Sequence, residues 1–209
     1  VRAVIVMPTT TPTIKVRSVA RLGGEVVLHG EGFDAAQAHA RTLAERDGFV
    51  FVHPFDDPDV IAGQGTIGME LLRQQPGAIG AIYVPIGGGG LAAGLGAYVK
   101  FLRPEIKVFG VEPVDAASMK AALEAGAPVK LDQVGLFADG VAVRQVGDEP
   151  FRLCRTLLDG IVTVTTDEIC AAIKDIFEDT RAIAEPAGAL ALAGLRRHVE
   201  DQQATTGPL

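Results

Sequence analysis

The chain has 209 residues, 48% of them hydrophobic, and a formal net charge of −7. This length and composition predict a folded chain with a real core. The acidic balance argues against nucleic acid as the main partner, because phosphate backbones require a basic face. The two cysteines have no CxxC spacing, which argues against a zinc site or a disulfide framework and favours a reduced, cytoplasmic protein.

Short runs rich in valine and isoleucine alternate along the chain with longer helical patterns. We predict strands at residues 3–7, 25–29, 49–53, 81–86, 108–112, 140–143 and 161–164. We predict helices at residues 12–22, 33–47, 58–75, 91–102, 115–125, 149–158, 167–180 and 186–202. Helix starts are predicted at the N-caps Asp34 and Asp148, and helix ends at Gly23, Gly48 and Gly160.

This alternation predicts a three-layer α/β architecture, with open, mostly parallel sheets covered by helices on both faces. We place a domain boundary between residues 47 and 48, where one βαβα unit ends. Residues 77–99 carry no charge, but Pro85 and the glycines after it would break a membrane helix, so we predict a strand, a loop and a helix there. The chain begins without methionine inside a strand pattern, and we expect both ends to be cut.

Four consecutive glycines, Gly87 to Gly90, stand between a predicted strand and a predicted helix. Residues without Cβ let the backbone turn tightly and aim several N–H groups at one anion, and the positive end of the helix points to the same place. The pattern therefore favours a phosphate site over a purely structural turn. No GK[ST] follows, so a nucleotide-hydrolysing loop is not indicated.

A dinucleotide-binding module is the rival interpretation of this segment. Gly87, Gly89 and Ala92 satisfy GxGxxA, and Glu112 ends the next strand at the spacing of a ribose-binding carboxylate. Against this, three strand units precede the loop, whereas the dinucleotide fingerprint normally opens its domain. The motifs described next would also have no role in such a module.

Five stretches, in this order, resemble a known family: HPFDD with IAGQGT (53–57, 61–66), PIGGGGLAAG (85–94), VEP (111–113), GLFADGVAV (135–143) and AEPAGA (184–189). They are similar to the fold-type-II pyridoxal-phosphate enzymes, which have the tryptophan synthase β-like fold. Within that family they resemble the biosynthetic threonine dehydratases (threonine ammonia-lyases). The resemblance implies that residues 1–47 are the remainder of a smaller α/β domain and residues 48–209 the cofactor-binding α/β domain.

The resemblance also implies an activity: pyridoxal 5′-phosphate-dependent deamination of L-threonine to 2-oxobutanoate and ammonia, in isoleucine biosynthesis. A serine/threonine dehydratase or racemase of the same family, and the NAD-binding module, stay open as alternatives. The expected partner is a small amino-acid substrate, with no nucleic acid and no membrane. Relatives of this kind form homo-oligomers, dimers or tetramers.

Cofactor contacts are likewise implied by the resemblance. The backbone amides of Gly87, Gly88, Gly89, Gly90 and Leu91 would hold the cofactor phosphate. Two further contacts are implied, each with a plainer alternative. Gly140 would form a small-residue wall beside the pyridine ring, or a turn before a strand. Glu185 would line the pocket, or merely cap a helix.

No catalytic or metal-binding residue is predicted. The family's Schiff-base lysine lies in an S-x-K-x-R-G-A motif that has no match in this sequence, so we expect this chain alone to be inactive. Glu112 matches the family's cation-site carboxylate, but Ser118 stands where relatives with a divalent ion have an acid. A monovalent ion, or none, is expected there. The only histidines are His29, His39, His53 and His198. His29 and His53 lie near predicted strand ends, and a structural or solvent role is expected for each.

Overall fold

The first 52 residues form a β-α-β-α unit in the computed structural model, which describes residues 1–206. Its elements are β1 (Val4–Met7), α1 (Thr13–Arg21), β2 (Glu25–Leu28) and α2 (Phe33–Asp47). The two strands pair in parallel, with Val4 opposite Glu25. Gly48 is the C-cap residue that follows α2, and its φ of 72° is the left-handed conformation that glycine adopts without strain. Burial in this unit is shallow: among residues 1–52, only Ala36 is a fully buried hydrophobic residue.

A second unit begins at His53 and carries the larger sheet. Its elements are α3 (Pro58–Gln74), β3 (Ala81–Pro85), α4 (Gly90–Leu102), β4 (Lys107–Pro113), α5 (Ser118–Ala125), a 3₁₀ turn (Asp139–Val141), α6 (Asp148–Leu157), β5 (Gly160–Val164), α7 (Thr166–Thr180) and α8 (Pro186–Thr206). The strands are parallel in the order β3-β4-β5. Because helices connect parallel strands, they cover the sheet on both faces.

Alternate strand residues build two cores, one on each face of this sheet. Val84 and Val108 pack with residues of α3, α4 and α6 in the first core. Val111 and Val164 pack with α7 and α8 in the second. The predicted three-layer α/β architecture with parallel sheets is confirmed in this unit.

Helices α3 and α4 approach each other closely through glycine. A Cβ on Gly94 would lie 2.1 Å from the carbonyl oxygen of Ile61, and a Cβ on Gly65 would lie 3.2 Å from the carbonyl oxygen of Gly94. Only residues without a side chain permit this contact. The two helices therefore pack backbone to backbone, which fixes the start of α4 against α3.

Two predicted strands are wrong. Residues 49–53 have no regular secondary structure and pair with no strand. Phe49 and Phe51 instead lie under the guanidinium groups of Arg2 and Arg41. Residues 140–143 form no strand either, because the chain makes the 3₁₀ turn at Asp139–Val141. An apolar run becomes a strand only where a neighbouring strand takes up its hydrogen bonds.

Three predicted helix boundaries are also wrong. Gly32 and Gly147 hold the N-cap positions, so Asp34 and Asp148 lie inside the first turns of α2 and α6. Gly160 opens β5 and does not end a helix. A carboxylate in the first turn interacts favourably with the positive end of the helix dipole. Aspartates are therefore common near helix starts, although Asp34 and Asp148 are not the N-cap residues.

Residues 77–99 form β3, a loop and α4, as predicted. Within the described chain, no helix combines the length and the apolar character that a membrane span requires.

Candidate functional site

The four glycines connect the carboxyl end of β3 to the start of α4. After Pro85 the amide of Ile86 still donates to the carbonyl oxygen of Val111 at 2.9 Å, and the chain then leaves the sheet. Gly89 is the N-cap residue of α4. Its φ of 95° lies in the left-handed region, which favours glycine. We call residues 87–91 the glycine loop.

Neighbouring side chains pack tightly against the glycine loop. A Cβ on Gly88 would lie 2.2 Å from the ring of Phe55, and a Cβ on Gly89 would lie 2.8 Å from Pro150. A Cβ on Gly90 would lie 2.8 Å from the carbonyl oxygen of Phe55. Packing therefore explains why side chains are excluded, and the glycines alone do not prove that a ligand binds.

The amides of the glycine loop point to a ligand more directly. Among the hydrogen bonds of residues 1–206, none is donated by the backbone N–H of residues 87–91. The first amide of α4 with a partner is that of Ala93, which donates to the carbonyl oxygen of Gly89 at 2.9 Å. Five successive donors at the positive end of a 13-residue helix form a site that suits a phosphate.

The predicted Gly140 lies in a turn that packs against the glycine loop. A Cβ on Gly87 would lie 3.0 Å from the Cα of Val141, the residue after Gly140. Gly140 itself is exposed. The structure thus brings residues 139–141 and the glycine loop together, an arrangement that the sequence could not show.

The predicted Glu185 is exposed and stands immediately before the first residue of α8. Its carbonyl oxygen accepts the amide of Ala189, as expected of a helix N-cap residue. Helix α8 packs on the 3₁₀ turn and on β3. The position of Glu185 before α8 agrees with the helix-capping role. The contact between Glu185 and the cofactor remains a prediction.

Glu112 is completely buried at the end of β4. Its carboxylate accepts the backbone amides of Met119 at 2.7 Å and Lys120 at 2.9 Å, so it caps the start of α5. Burial raises the pKa of Glu112 to about 7, against the opposing effect of these two amides and the Lys120 charge. A ribose hydroxyl cannot reach a carboxylate that is enclosed in this way, which argues against the dinucleotide interpretation.

Ser118, the residue before Met119, is also fully buried. Its hydroxyl oxygen has no hydrogen-bond partner within the described chain. Within residues 1–206, no three His, Cys, Asp or Glu side chains gather as a set of metal ligands.

Burial, followed by the Glu112 charge, raises the pKa of the Cys154 thiol to about 12, so this cysteine is not a nucleophile at neutral pH.

Comparison with known proteins identifies the family. The sequence profile of the pyridoxal-phosphate dependent enzymes matches residues 1–207. The chain belongs to this family. The dinucleotide alternative is thereby set aside, and the unbonded amides of the glycine loop fit the phosphate of the family's cofactor.

Individual relatives are similar over nearly the whole chain. The chain is 60% identical over 203 residues to the biosynthetic L-threonine dehydratase of Burkholderia multivorans, covering 96% of the chain and 40% of the relative. It is 62% identical over 192 residues to the chloroplastic biosynthetic threonine dehydratase of Arabidopsis thaliana, covering 92% of the chain and 32% of the relative. The chain thus spans about a third to two fifths of the length of these curated relatives.

A solved structure confirms the fold. The processed form of threonine deaminase isoform 2 from Solanum lycopersicum superposes with a TM-score of 0.90 at 51% identity, covering 97% of this chain and 59% of that one. The predicted fold-type-II architecture is confirmed by this likeness.

Sequence reasoning missed the contribution of Phe55 and Asp56 to this site. Phe55 packs on Gly88 and Gly90, and the carboxylate of Asp56 accepts the amides of Asp148 and Glu149 at the start of α6. The HPFDD motif marked the segment, but the contacts join residues more than thirty and ninety positions apart. No local pattern could have predicted them.

Proposed function

We propose that this chain forms the cofactor-phosphate site of a pyridoxal-phosphate dependent L-threonine dehydratase, which deaminates L-threonine to 2-oxobutanoate and ammonia in isoleucine biosynthesis. The observation that carries the proposal is the row of five unbonded amides in the glycine loop. The similarity to the threonine dehydratases described above supports threonine as the substrate. The resident cofactor follows from membership of the family.

The residues of this chain would bind and orient the cofactor. Bound pyridoxal phosphate supplies a ring that withdraws electrons from the α-carbon of an amino acid. The amides of residues 87–91 would hold its phosphate, and the positive end of α4 would stabilise the phosphate charge. Gly140 would leave room beside a flat ring because it has no side chain, and Glu185 would line the same pocket from the start of α8.

The same proposal includes the partners and the location of the protein. A small amino acid is the substrate, and the protein is a homo-oligomer, a dimer or a tetramer, which sedimentation equilibrium measures directly. We keep a cytoplasmic location as the expectation, although the Arabidopsis relative is named as chloroplastic. Fractionation of source cells with an antibody against the chain tests this expectation.

The cofactor site is tested by a titration with three ligands. Pyridoxamine 5′-phosphate has no aldehyde and cannot react with surface lysines, and pyridoxamine has the same ring without the phosphate. We expect the phosphorylated compound to bind at least about tenfold more tightly than pyridoxamine, since only it engages the amides, and NADH not to bind. Equal affinities for pyridoxamine and its phosphate would contradict the assignment of the glycine loop.

The activity is tested by transplanting the chain into a complete relative. The chain replaces the matching 40% of the Burkholderia multivorans enzyme. We expect this chimera to form 2-oxobutanoate from L-threonine faster than pyruvate from L-serine, and to form no D-serine, the product of a racemase. The 209-residue chain alone is expected to show no turnover above that of free cofactor. A folded chimera that binds cofactor but prefers L-serine, or racemises it, would support the alternative activities instead.

A further inference from the structure

A short turn, residues 53–57, precedes helix α3; we call it the His53 turn. The Nδ1 atom of His53 accepts the backbone amide of Phe55 at 3.3 Å and that of Asp56 at 2.8 Å. A ring nitrogen that accepts carries no proton, so the neutral imidazole bears its hydrogen on Nε2. An Asn or Asp side chain closes turns in the same way, with its oxygen on the amides two and three residues ahead.

The His53 turn is anchored at its end to α3. The carboxylate of Asp57 is the N-cap of this helix and accepts the amides of Asp59 at 2.9 Å and Val60 at 3.2 Å. Pro58 occupies the first helical position, where its missing N–H costs nothing. Because α3 packs on α4 through glycine contacts, the turn is held at a fixed distance from the start of α4.

From this position the His53 turn supports the glycine loop directly. The ring of Phe55 covers the Cα of Gly88, and the ring of His53 packs edge-on against Phe55 with centroids 4.7 Å apart. The carbonyl oxygen of Phe55 lies where a side chain on Gly90 would be. Both glycines are buried as a result.

The turn also reaches the glycine loop through α6. The carboxylate of Asp56 accepts the amides of Asp148 at 3.2 Å and Glu149 at 3.0 Å, which are the first two of that helix. The amide of the preceding residue, Gly147, donates to the carbonyl oxygen of Gly88 at 3.1 Å. The His53 turn is therefore connected to the glycine loop in two ways, directly through Phe55 and indirectly through the start of α6.

We propose that His53 is a positioning residue for the phosphate site: its Nδ1 closes the His53 turn, which holds the backbone of Gly88 and Gly90 in the conformation that aims their amides at the phosphate. This inference rests on the proposed function, because it concerns the geometry of the same loop. It assigns His53 a role through other residues and no contact with the cofactor.

Substitutions of His53 test this role in the 209-residue chain. His53→Leu removes the acceptor, whereas His53→Asn keeps one, with Oδ1 in the place of Nδ1. His198→Leu is the matched control, since it removes a histidine whose contacts are Tyr83, Phe109 and Gln202. Thermal unfolding of each variant verifies that it is folded at the assay temperature.

Calorimetric titration with pyridoxamine 5′-phosphate and pyridoxamine gives the first result. We expect His53→Leu to weaken binding of the phosphorylated compound about tenfold, since two backbone amides lose their acceptor. Binding of pyridoxamine should change less than about twofold in every variant, and His53→Asn and His198→Leu should match the parent. An unchanged affinity in His53→Leu, or an equal loss for both compounds, would overturn the inference.

Amide hydrogen exchange gives a second result that needs no ligand. His53→Leu should speed exchange at Gly147, Asp148 and Glu149 about tenfold, because the acceptors of these amides depend on the turn. His53→Asn should restore the slow exchange. If the parent chain does not distinguish the two compounds, the proposed function fails, and exchange alone then decides the inference about His53. Unaltered exchange in His53→Leu, or exchange that Asn fails to restore, rejects it.

Discussion

Residues 1–52 and the unit that begins at His53 have the same alternation of strands and helices but differ sharply in burial. The first unit has a single fully buried hydrophobic residue, Ala36, whereas the second has a continuous core on each face of its sheet. The fully buried polar residues, Glu112 and Ser118, belong to the second unit as well. Similar sequence patterns therefore give elements whose stability comes from different amounts of packing, and the glycine loop belongs to the well-packed unit.

A matched pair of isoleucine substitutions tests this difference most strongly. Ile106 is 0% exposed in the second unit and Ile5 is 39% exposed in the first. We expect Ile106→Ala to lower the free energy of unfolding by about 2–5 kcal/mol, because it leaves a cavity in a closed core. Ile5→Ala should cost no more than about 1–2 kcal/mol, since its side chain is partly hydrated already. Urea denaturation measures both, and equal losses would show that the first unit is packed as tightly as the second.

The buried carboxyl of Glu112 predicts a pH dependence that the first unit should lack. Between the ordinary pKa of 4.5 and the folded pKa of about 7, the folded chain keeps a proton that the unfolded chain has released. The free energy of unfolding should therefore fall as pH rises through this window, by on the order of 3 kcal/mol. Glu112→Gln should remove this slope between pH 5 and 7. Glu25→Gln, which changes an exposed carboxyl on β2, should leave the slope unchanged. Identical slopes in the parent and in Glu112→Gln would contradict a raised pKa of the buried Glu112 carboxyl.

A smaller effect is expected from ion pairs in the two units. The side chains of Lys100 and Asp159 are each 18% exposed, whereas those of Arg2 and Glu25 are 66% and 53% exposed. We expect Asp159→Asn to lower the free energy of unfolding at pH 7 by about 1–2 kcal/mol and Glu25→Gln by less than about 0.5 kcal/mol, because water screens the outer pair. Chemical denaturation measures both, and a larger loss in Glu25→Gln would reverse the comparison.

The effect of Asp159 should itself depend on pH. Partial burial acts to raise the pKa of this carboxyl, but hydrogen bonds from Lys100, Lys107 and the amide of Val108 outweigh it and hold the pKa well below the usual range. The stabilisation is therefore complete at neutral pH and is lost as pH falls from 3.8 towards the folded value. Parent and Asp159→Asn should become equally stable in strong acid.

Local sequence signals predicted most of the elements but failed where a distant residue takes part. Helix α6 shows the difference: its cap is the carboxylate of Asp56, and Asp148, the residue that resembled a cap, donates its amide to that carboxylate. The segment at residues 49–53 has the composition of a strand but no partner strand. Both cases depend on hydrogen bonds with residues that are distant in sequence. A window of consecutive residues cannot show which distant residues those are.

The glycine loop was located from the sequence, but the physical reason for its glycines was incomplete. The sequence analysis explained the four glycines by a tight turn and by close approach of an anion to the backbone amides. The structure adds that Phe55, Pro150 and Val141 occupy the space where side chains would be. The sequence also left open Glu112 as a ribose-binding carboxylate, and its complete burial in the fold argues against that interpretation.

The sequence by itself determined the α/β class, the family and the place of the glycine loop, because periodicity, glycine and motif order are written along the chain. Tertiary structure alone decided which surfaces meet: the turn at residues 139–141 against Gly87, Phe55 on Gly88, and Asp56 at the start of α6. Such contacts depend on how helices and strands pack in three dimensions, so residues that are far apart in sequence share one site.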